Sequence, residues 1–183
     1  MSDKKQLQKL LLEKSYRSGT FKLSSGRESD FYIDVKQTSL DAEGALLCGK
    51  EIYNLIQAHP ATIGAVGGMT LGADPLVTGA SIASFLEGNP IPAFIVRKEA
   101  KGHGTKQYME GQKNLPAGCN VTLLEDVVTT GGTLLQVIDR VEEQGFKVVQ
   151  IITVVDRQEG GAETLKEKGF DLEALFTREE LLA

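Results

Sequence analysis

An apolar run from Val121 to Leu124 leads into Glu125 and Asp126, and the chain then passes through Val127, Val128, Thr129, Thr130, Gly131 and Gly132 to Thr133. A buried strand that turns through hydroxyls and glycines into a helix suits an anion. The first amides of a helix have no partner within it, and the helix dipole presents its positive end there. The hydroxyls of Thr129, Thr130 and Thr133 add donors at the same point. Carboxylates just upstream can hold ribose hydroxyls directly or through a hydrated magnesium ion. The same order also fits a helix cap preceded by solvated acids. It lacks the Gly-Lys-Ser/Thr ending of a P-loop and the three-glycine dinucleotide fingerprint, so neither of those readings applies.

Other stretches carry further chemistry. Arg97, Lys98, Lys101 and His103 crowd a segment interrupted by Gly102 and Gly104 and followed by Thr105. Cations placed there can bind a small anion, and an imidazole, which titrates near neutrality, can give a proton or hydrogen bond. A solvated basic loop has the same composition. Arg157 follows Asp156 at the end of the β-rich run Val148 to Val155, and a guanidinium can meet a carboxylate in a two-pronged pair or form a structural ion pair. Gly67 to Gly72 reads as a glycine-bearing turn, and Phe31, Tyr32 and Ile33 as an aromatic strand entered through the turn Ser24-Ser25-Gly26.

The elements that must hold these residues follow from periodicity. Leu7, Leu10 and Leu11 predict an amphipathic first helix ending before Ser18-Gly19; Ala45, Cys48, Ile52 and Ile56 predict a second, from about Asp41 to His59-Pro60. Ile63 to Val66, Ala93 to Val96 and Val121 to Leu124 read as short buried strands. Asp74 is expected to cap a helix with Pro75 at its first position, running to about Phe85. Leu134, Val137, Ile138 and Val141 form the clearest stripe, with Gly145 as its stop. Alternating strands and helices imply an α/β fold with a mainly parallel central sheet flanked by helices, whose ligands gather at the carboxyl ends of the strands.

With 183 residues, 41% hydrophobic and 25% charged, the chain fits one domain able to bury a core. A net charge of -5 argues against nucleic acid as the main partner, so the basic residues act locally. Cys48 and Cys119 have no metal-ligand spacing and read as reduced, buried thiols. The N-terminus lacks a secretory pattern and Val148 to Val155 is too short to span a bilayer. A cytoplasmic location and no membrane partner are expected.

The acid pair and its Thr/Gly turn resemble the phosphoribosyl-diphosphate motif of the type I phosphoribosyltransferases, a family in which purine, uracil and orotate enzymes share that motif with some regulators that bind nucleotides without catalysis. The stretch from Arg97 to Gly104 is similar to the mobile catalytic loop of the orotate enzymes. The segment from Phe21 to Asp34 resembles their substrate-binding stretch, Gly67 to Gly72 their pyrophosphate loop, and Val155 to Gly161 the stretch that recognises orotate. This resemblance, spanning roughly Gly19 to Gly161, implies a type I phosphoribosyltransferase fold over 1–183, with a core at about 40–160 and a small hood from the chain ends. It implies transfer of a phosphoribosyl group from phosphoribosyl diphosphate to orotate, with magnesium held mainly by substrate and water rather than by direct protein ligands.

The catalytic residues it implies are Lys98, Lys101, His103 and Asp126. Phosphoribosyl diphosphate would be held by Arg97, Lys98, Lys101, His103, Glu125, Asp126, Val127, Val128, Thr129, Thr130, Gly131, Gly132 and Thr133, and orotate by Tyr32, Ile33, Thr129 and Arg157. It also implies a homodimer whose mobile loop acts in trans. The chain departs from the pattern at Ser24 and Leu71, where relatives often carry lysine. A phosphoribosyltransferase for another base and a nucleotide-sensing regulator without turnover are the rival expectations.

Overall fold

A computed structural model of the chain describes residues 2–22, 28–101 and 107–183. Its centre is a six-stranded sheet in the order β5-β4-β3-β6-β7-β8, built from β3 (Ala65–Met69), β4 (Ala93–Lys101), β5 (Gln107–Glu110), β6 (Asn120–Val128), β7 (Lys147–Asp156) and β8 (Leu172–Thr177). Every pairing is parallel except β4 with β5, which are joined as an antiparallel hairpin. The parallel strands are buried on both faces, and side chains alternate between them. Val66, Leu124 and Ile152 enter one apolar cluster, while Ala65, Leu123 and Ile151 enter the other.

Helices cover both faces. The first cluster is closed by α1 (Asp3–Leu10), which continues as a short π-helical turn to Ser15, and by α3 (Ala42–Ala58) and α4 (Asp74–Leu86); the short α2 (Lys36–Ser39) precedes α3. Asp41 caps α3 through the amides of Glu43 and Gly44. The second cluster is closed by α5 (Gly132–Glu142), whose stripe Leu134, Val137, Ile138 and Val141 is fully buried. The shorter α6 (Gly161–Glu167) adds Leu165.

The chain ends meet. The two-stranded sheet of β1 (Tyr16–Lys22) and β2 (Glu28–Ile33) sits with α1 and the terminal α7 (Arg178–Leu182). Gln8 donates to the carbonyls of Glu180 and Leu181, and Arg178 pairs with Asp30. Among the described residues no helix is long and apolar enough to cross a membrane.

Several sequence expectations are displaced. The first helical stretch does end before Ser18-Gly19, which lie inside β1, where Tyr16 to Ser18 pair with Ile33 to Phe31. The strand expected at Ile63 to Val66 runs instead from Ala65 to Met69. Gly67 and Gly68 are therefore buried strand residues, kept small by the Phe94 ring and the Leu124 carbonyl. Ala73, not Asp74, occupies the cap of α4; Asp74 is already helical and accepts from the Thr70 hydroxyl at 2.8 Å. Cys48 is buried, but Cys119 is only half-buried. The central sheet extends past the boundary at 160, since β8 pairs with β7 from Ile151↔Leu172 to Asp156↔Thr177. Ser24, Ser25, Gly26, Gly102, His103, Gly104 and Thr105 lie outside the described residues.

Candidate active site

The carboxyl ends of β4, β6 and β7 and the turn after β3 converge, as parallel α/β topology requires. Glu125 and Asp126 belong to β6 itself rather than to the turn beyond it. Pairing Glu125↔Thr153 and Val128↔Asp156 fixes them against β7.

Asp126 is held from several sides. The Val127 amide donates to Oδ1 at 3.0 Å, and Lys36 Nζ stands 3.4 Å from Oδ2 while pairing with Asp34 at 2.7 Å. Gly72 lies directly over it; a Cβ there would come within 2.5 Å of Oδ1. The turn after β3 thus reaches the acid because residue 72 has no side chain.

Glu125 is only 9% exposed, and its Oε2 is buried with no hydrogen-bond partner among the described residues. Burial first, and then the neighbouring Asp126, raise its pKa well above the usual carboxylate range; the Lys98 ammonium opposes part of this. The native state therefore binds a proton that the unfolded chain has already released, so this group lowers stability as pH rises from the unfolded pKa through the folded one. Glu125→Gln should flatten that decline and raise the thermal midpoint at neutral pH, as melts recorded across a pH series would show.

Beyond β6 the chain turns through Thr129 and Thr130 into α5, with Gly131 at its cap at φ 79°. That left-handed backbone favours glycine, and the space is equally restrictive: an added Cβ would approach the Gly161 carbonyl at 3.1 Å. Thr130, Gly132 and Thr133 are exposed and Thr129 half-buried, so the predicted anion turn opens outward at the head of a helix anchored by its buried stripe.

The basic segment is a strand before it is a loop. Arg97 and Lys98 lie in β4, and the Arg97 guanidinium pairs with Glu110 of β5 at 2.9 Å. Lys98 is exposed and close enough for its charge to act on Glu125. Lys101 ends β4 and pairs in register with Gln107; its side chain, like His103, falls outside the described residues.

Arg157 follows β7, with its amide bonded to the Val128 carbonyl at 3.0 Å, which sets it beside the acid strand. It is 3% exposed, its Nε–H donates to Glu159 at 2.8 Å, and its guanidinium stacks 4.1 Å from the Phe31 ring centre. The structural ion pair is therefore present. Arg178 lies 4.7 Å from the same ring. Tyr32 is exposed and packs on Phe21. Ile33, expected at the base, points into the apolar core at 7% exposure, because strand alternation sends it inward with Phe31.

Lys36, Arg140 and Arg178 border these groups and carry no motif. The only local signal is the spacing of Lys36 from Asp34, since its contact with Asp126 spans 90 positions.

Comparisons with known proteins agree with this geometry. The phosphoribosyl transferase domain family model matches residues 66–174. The orotate phosphoribosyltransferase of Nostoc sp. is 49% identical over 174 residues, covering 95% of this chain and 82% of that protein. That of Aquifex aeolicus is 42% identical over 185 residues, covering 100% and 99%. The crystal structure of the Mycobacterium tuberculosis orotate phosphoribosyltransferase in complex with 5-phospho-alpha-D-ribosyl 1-diphosphate matches with a TM-score of 0.81 at 32% identity, covering 100% of both chains.

Proposed function

The chain belongs to the orotate phosphoribosyltransferases, and from that premise we infer that it transfers the 5-phosphoribosyl group of phosphoribosyl diphosphate to orotate. The products are orotidine 5′-monophosphate and pyrophosphate, a step of de novo pyrimidine biosynthesis. The observation that carries the assignment of parts is the convergence of the acid pair, its Thr/Gly turn and Arg157 at adjoining strand ends.

Each part has a task. The 5′-phosphate is held by the turn from Val127 to Thr133, whose exposed helix head supplies amides and hydroxyls. Asp126, with Glu125 beside it, accepts from the ribose hydroxyls, and Lys36 keeps the Asp126 carboxylate aimed. As the bond from ribose C1 to the diphosphate oxygen breaks, the orotate nitrogen forms the new bond to C1. Charge accumulates on the pyrophosphate, where Arg97, Lys98, Lys101 and His103 stabilise it and His103 can give a proton or hydrogen bond. Arg157 meets the orotate carboxylate, with Tyr32 and Thr129 beside the base. Its orientation is set by Glu159 and Phe31.

Magnesium fits this site. The Asp126 carboxylate is a hard oxygen donor, and Glu125, whose Oε2 is buried with no hydrogen-bond partner among the described residues, becomes a second one on giving up its proton. Substrate and water would supply most of the ion's ligands, as the resemblance implies. The ion would neutralise diphosphate charge; the residues above position the reactants.

The working unit is a cytoplasmic homodimer of this single phosphoribosyltransferase unit, each hairpin reaching the partner's site. Supporting it is an apolar groove of about 1000 Å³ between α3 and α4, where Leu40, Leu46, Ile82 and Leu86 stand at least half exposed. Ile82→Asp should yield a monomer by analytical ultracentrifugation with most activity lost. Mixing inactive Lys101→Ala and Asp126→Asn proteins should restore turnover if the loop acts in trans; a dimer whose mixtures stay inactive would place the loop in its own subunit.

Release of pyrophosphate tests the reaction itself. It should appear on mixing protein, phosphoribosyl diphosphate, magnesium and orotate, and vanish when orotate is omitted. Binding of phosphoribosyl diphosphate without release would instead mark a regulator.

A further inference from the structure

We propose that Arg140 is a positioning residue that clamps the cationic hairpin against the helix that starts at the phosphate turn. The inference rests on the reading that this hairpin stabilises the departing pyrophosphate.

Regular pairing of β4 fails on both sides at the same place. Its partner β3 ends at Met69↔Val96, and its register with β5 shifts between Val96 and Lys101. The carbonyls of Arg97 and Lys98 fall in that gap. Backbone carbonyls left without donors carry a desolvation cost once covered, and Arg140 supplies the donors: Nη1 donates to the Arg97 carbonyl at 2.8 Å and Nη2 to the Lys98 carbonyl at 3.3 Å. The same guanidinium lies 4.3 Å from the Tyr108 ring centre on β5. One side chain therefore grips both arms of the hairpin.

The placement has a consequence for chemistry. Arg140 sits in the last turn of α5, whose first turn follows the Gly131 cap. A rigid helix thus links the seat of the 5′-phosphate to the backbone that carries Lys98, whose charge already acts on Glu125. Arg140 turns its guanidinium to the hairpin backbone and the Tyr108 ring, and so fixes where the cations stand. A planar fork satisfies two carbonyls and a ring together, which a lysine ammonium does only in part.

Arg140→Met retains apolar cover for Tyr108 while removing the donors, and Arg140→Lys keeps a single charged donor group. Arg140→Met should lower kcat about tenfold while the KM for orotate moves by no more than about twofold, the pattern of an interaction realised as charge develops. Arg140→Lys should recover part of the loss. Independently of turnover, trypsin should cut after Arg97 and Lys98 several-fold faster in Arg140→Met than in the unaltered protein.

Unchanged kcat in Arg140→Met, or a rise in orotate KM matching the fall in kcat, would overturn the proposal. So would equal tryptic rates. If Arg140→Met does not fold, the same criteria apply to Arg140→Lys with a smaller kcat loss. Failure of the unaltered protein to turn over orotate strikes the underlying functional reading instead, and the tryptic comparison remains decisive for the clamp.

Discussion

Lys101→Ala is expected to lower kcat by about 100-fold or more, the usual loss when a donor aimed at developing charge is removed, with little change in thermal midpoint. The reasoning starts from charge. Pyrophosphate leaves as a polyanion, and among the described residues the other cations on β4 carry a second task beside it: Arg97 also pairs with Glu110, and the Lys98 charge also acts on Glu125. Lys101 ends β4, beyond the point where β3 stops. A cation there engages the leaving group rather than the ground state, so KM for orotate should hold while kcat falls. Steady-state kinetics alongside a thermal melt check this. Full activity would remove the loop from the mechanism; a matching collapse of the fold would assign Lys101 a structural role.

Arg157→Lys is the second large effect, and it should fall on the base. The positive charge survives, but the fork that can pair with a carboxylate along two parallel bonds is lost, together with its stacking on Phe31. Hydrogen bonds to charged groups contribute about 1.5–3 kcal/mol, so kcat/KM for orotate should fall about 10- to 150-fold. KM for phosphoribosyl diphosphate should barely change. Lysine is the appropriate substitution because Arg157 is buried against Glu159, and a neutral residue would remove the positive charge that faces that carboxylate. Equal rises in KM for both substrates would show that the change disturbs the whole strand end, making the ion pair with Glu159 the main task of Arg157.

These effects are legible in the sequence to different degrees, and the difference is one of range. The phosphate turn is local: strand, acids, hydroxyls, glycines and helix follow each other within Val121 to Thr133, so order alone reveals it. The buried stripe of α5 is equally local. The supports of the site are not. Lys36 meets Asp126 across 90 positions, Arg140 meets Arg97 across 43, and Arg178 meets Asp30 across 148. No periodicity encodes such pairs. Strand ends are likewise obscured where charged residues carry a strand past its apolar run, as Arg97 and Lys98 do in β4 and Glu125 and Asp126 in β6. The β6 extension is held by pairing with β7 and the β4 extension by Arg140 and the Lys101↔Gln107 pair, not by their own composition. The glycines Gly67 and Gly68 mislead for a related reason. They resemble turn residues, yet their smallness serves close packing against Phe94, Ala73 and the Leu124 carbonyl.

The central claim is that this chain joins orotate, and not another base, to the phosphoribosyl group. Ultraviolet absorbance followed on mixing purified protein with phosphoribosyl diphosphate and magnesium tests it most directly, with orotate, uracil and adenine supplied separately. Loss of orotate absorbance, with uracil and adenine untouched, is the predicted result. Consumption of uracil or adenine in place of orotate would keep the fold and the phosphate turn but contradict the assignment of Arg157 and the base, and no consumption of any base would contradict the enzyme itself.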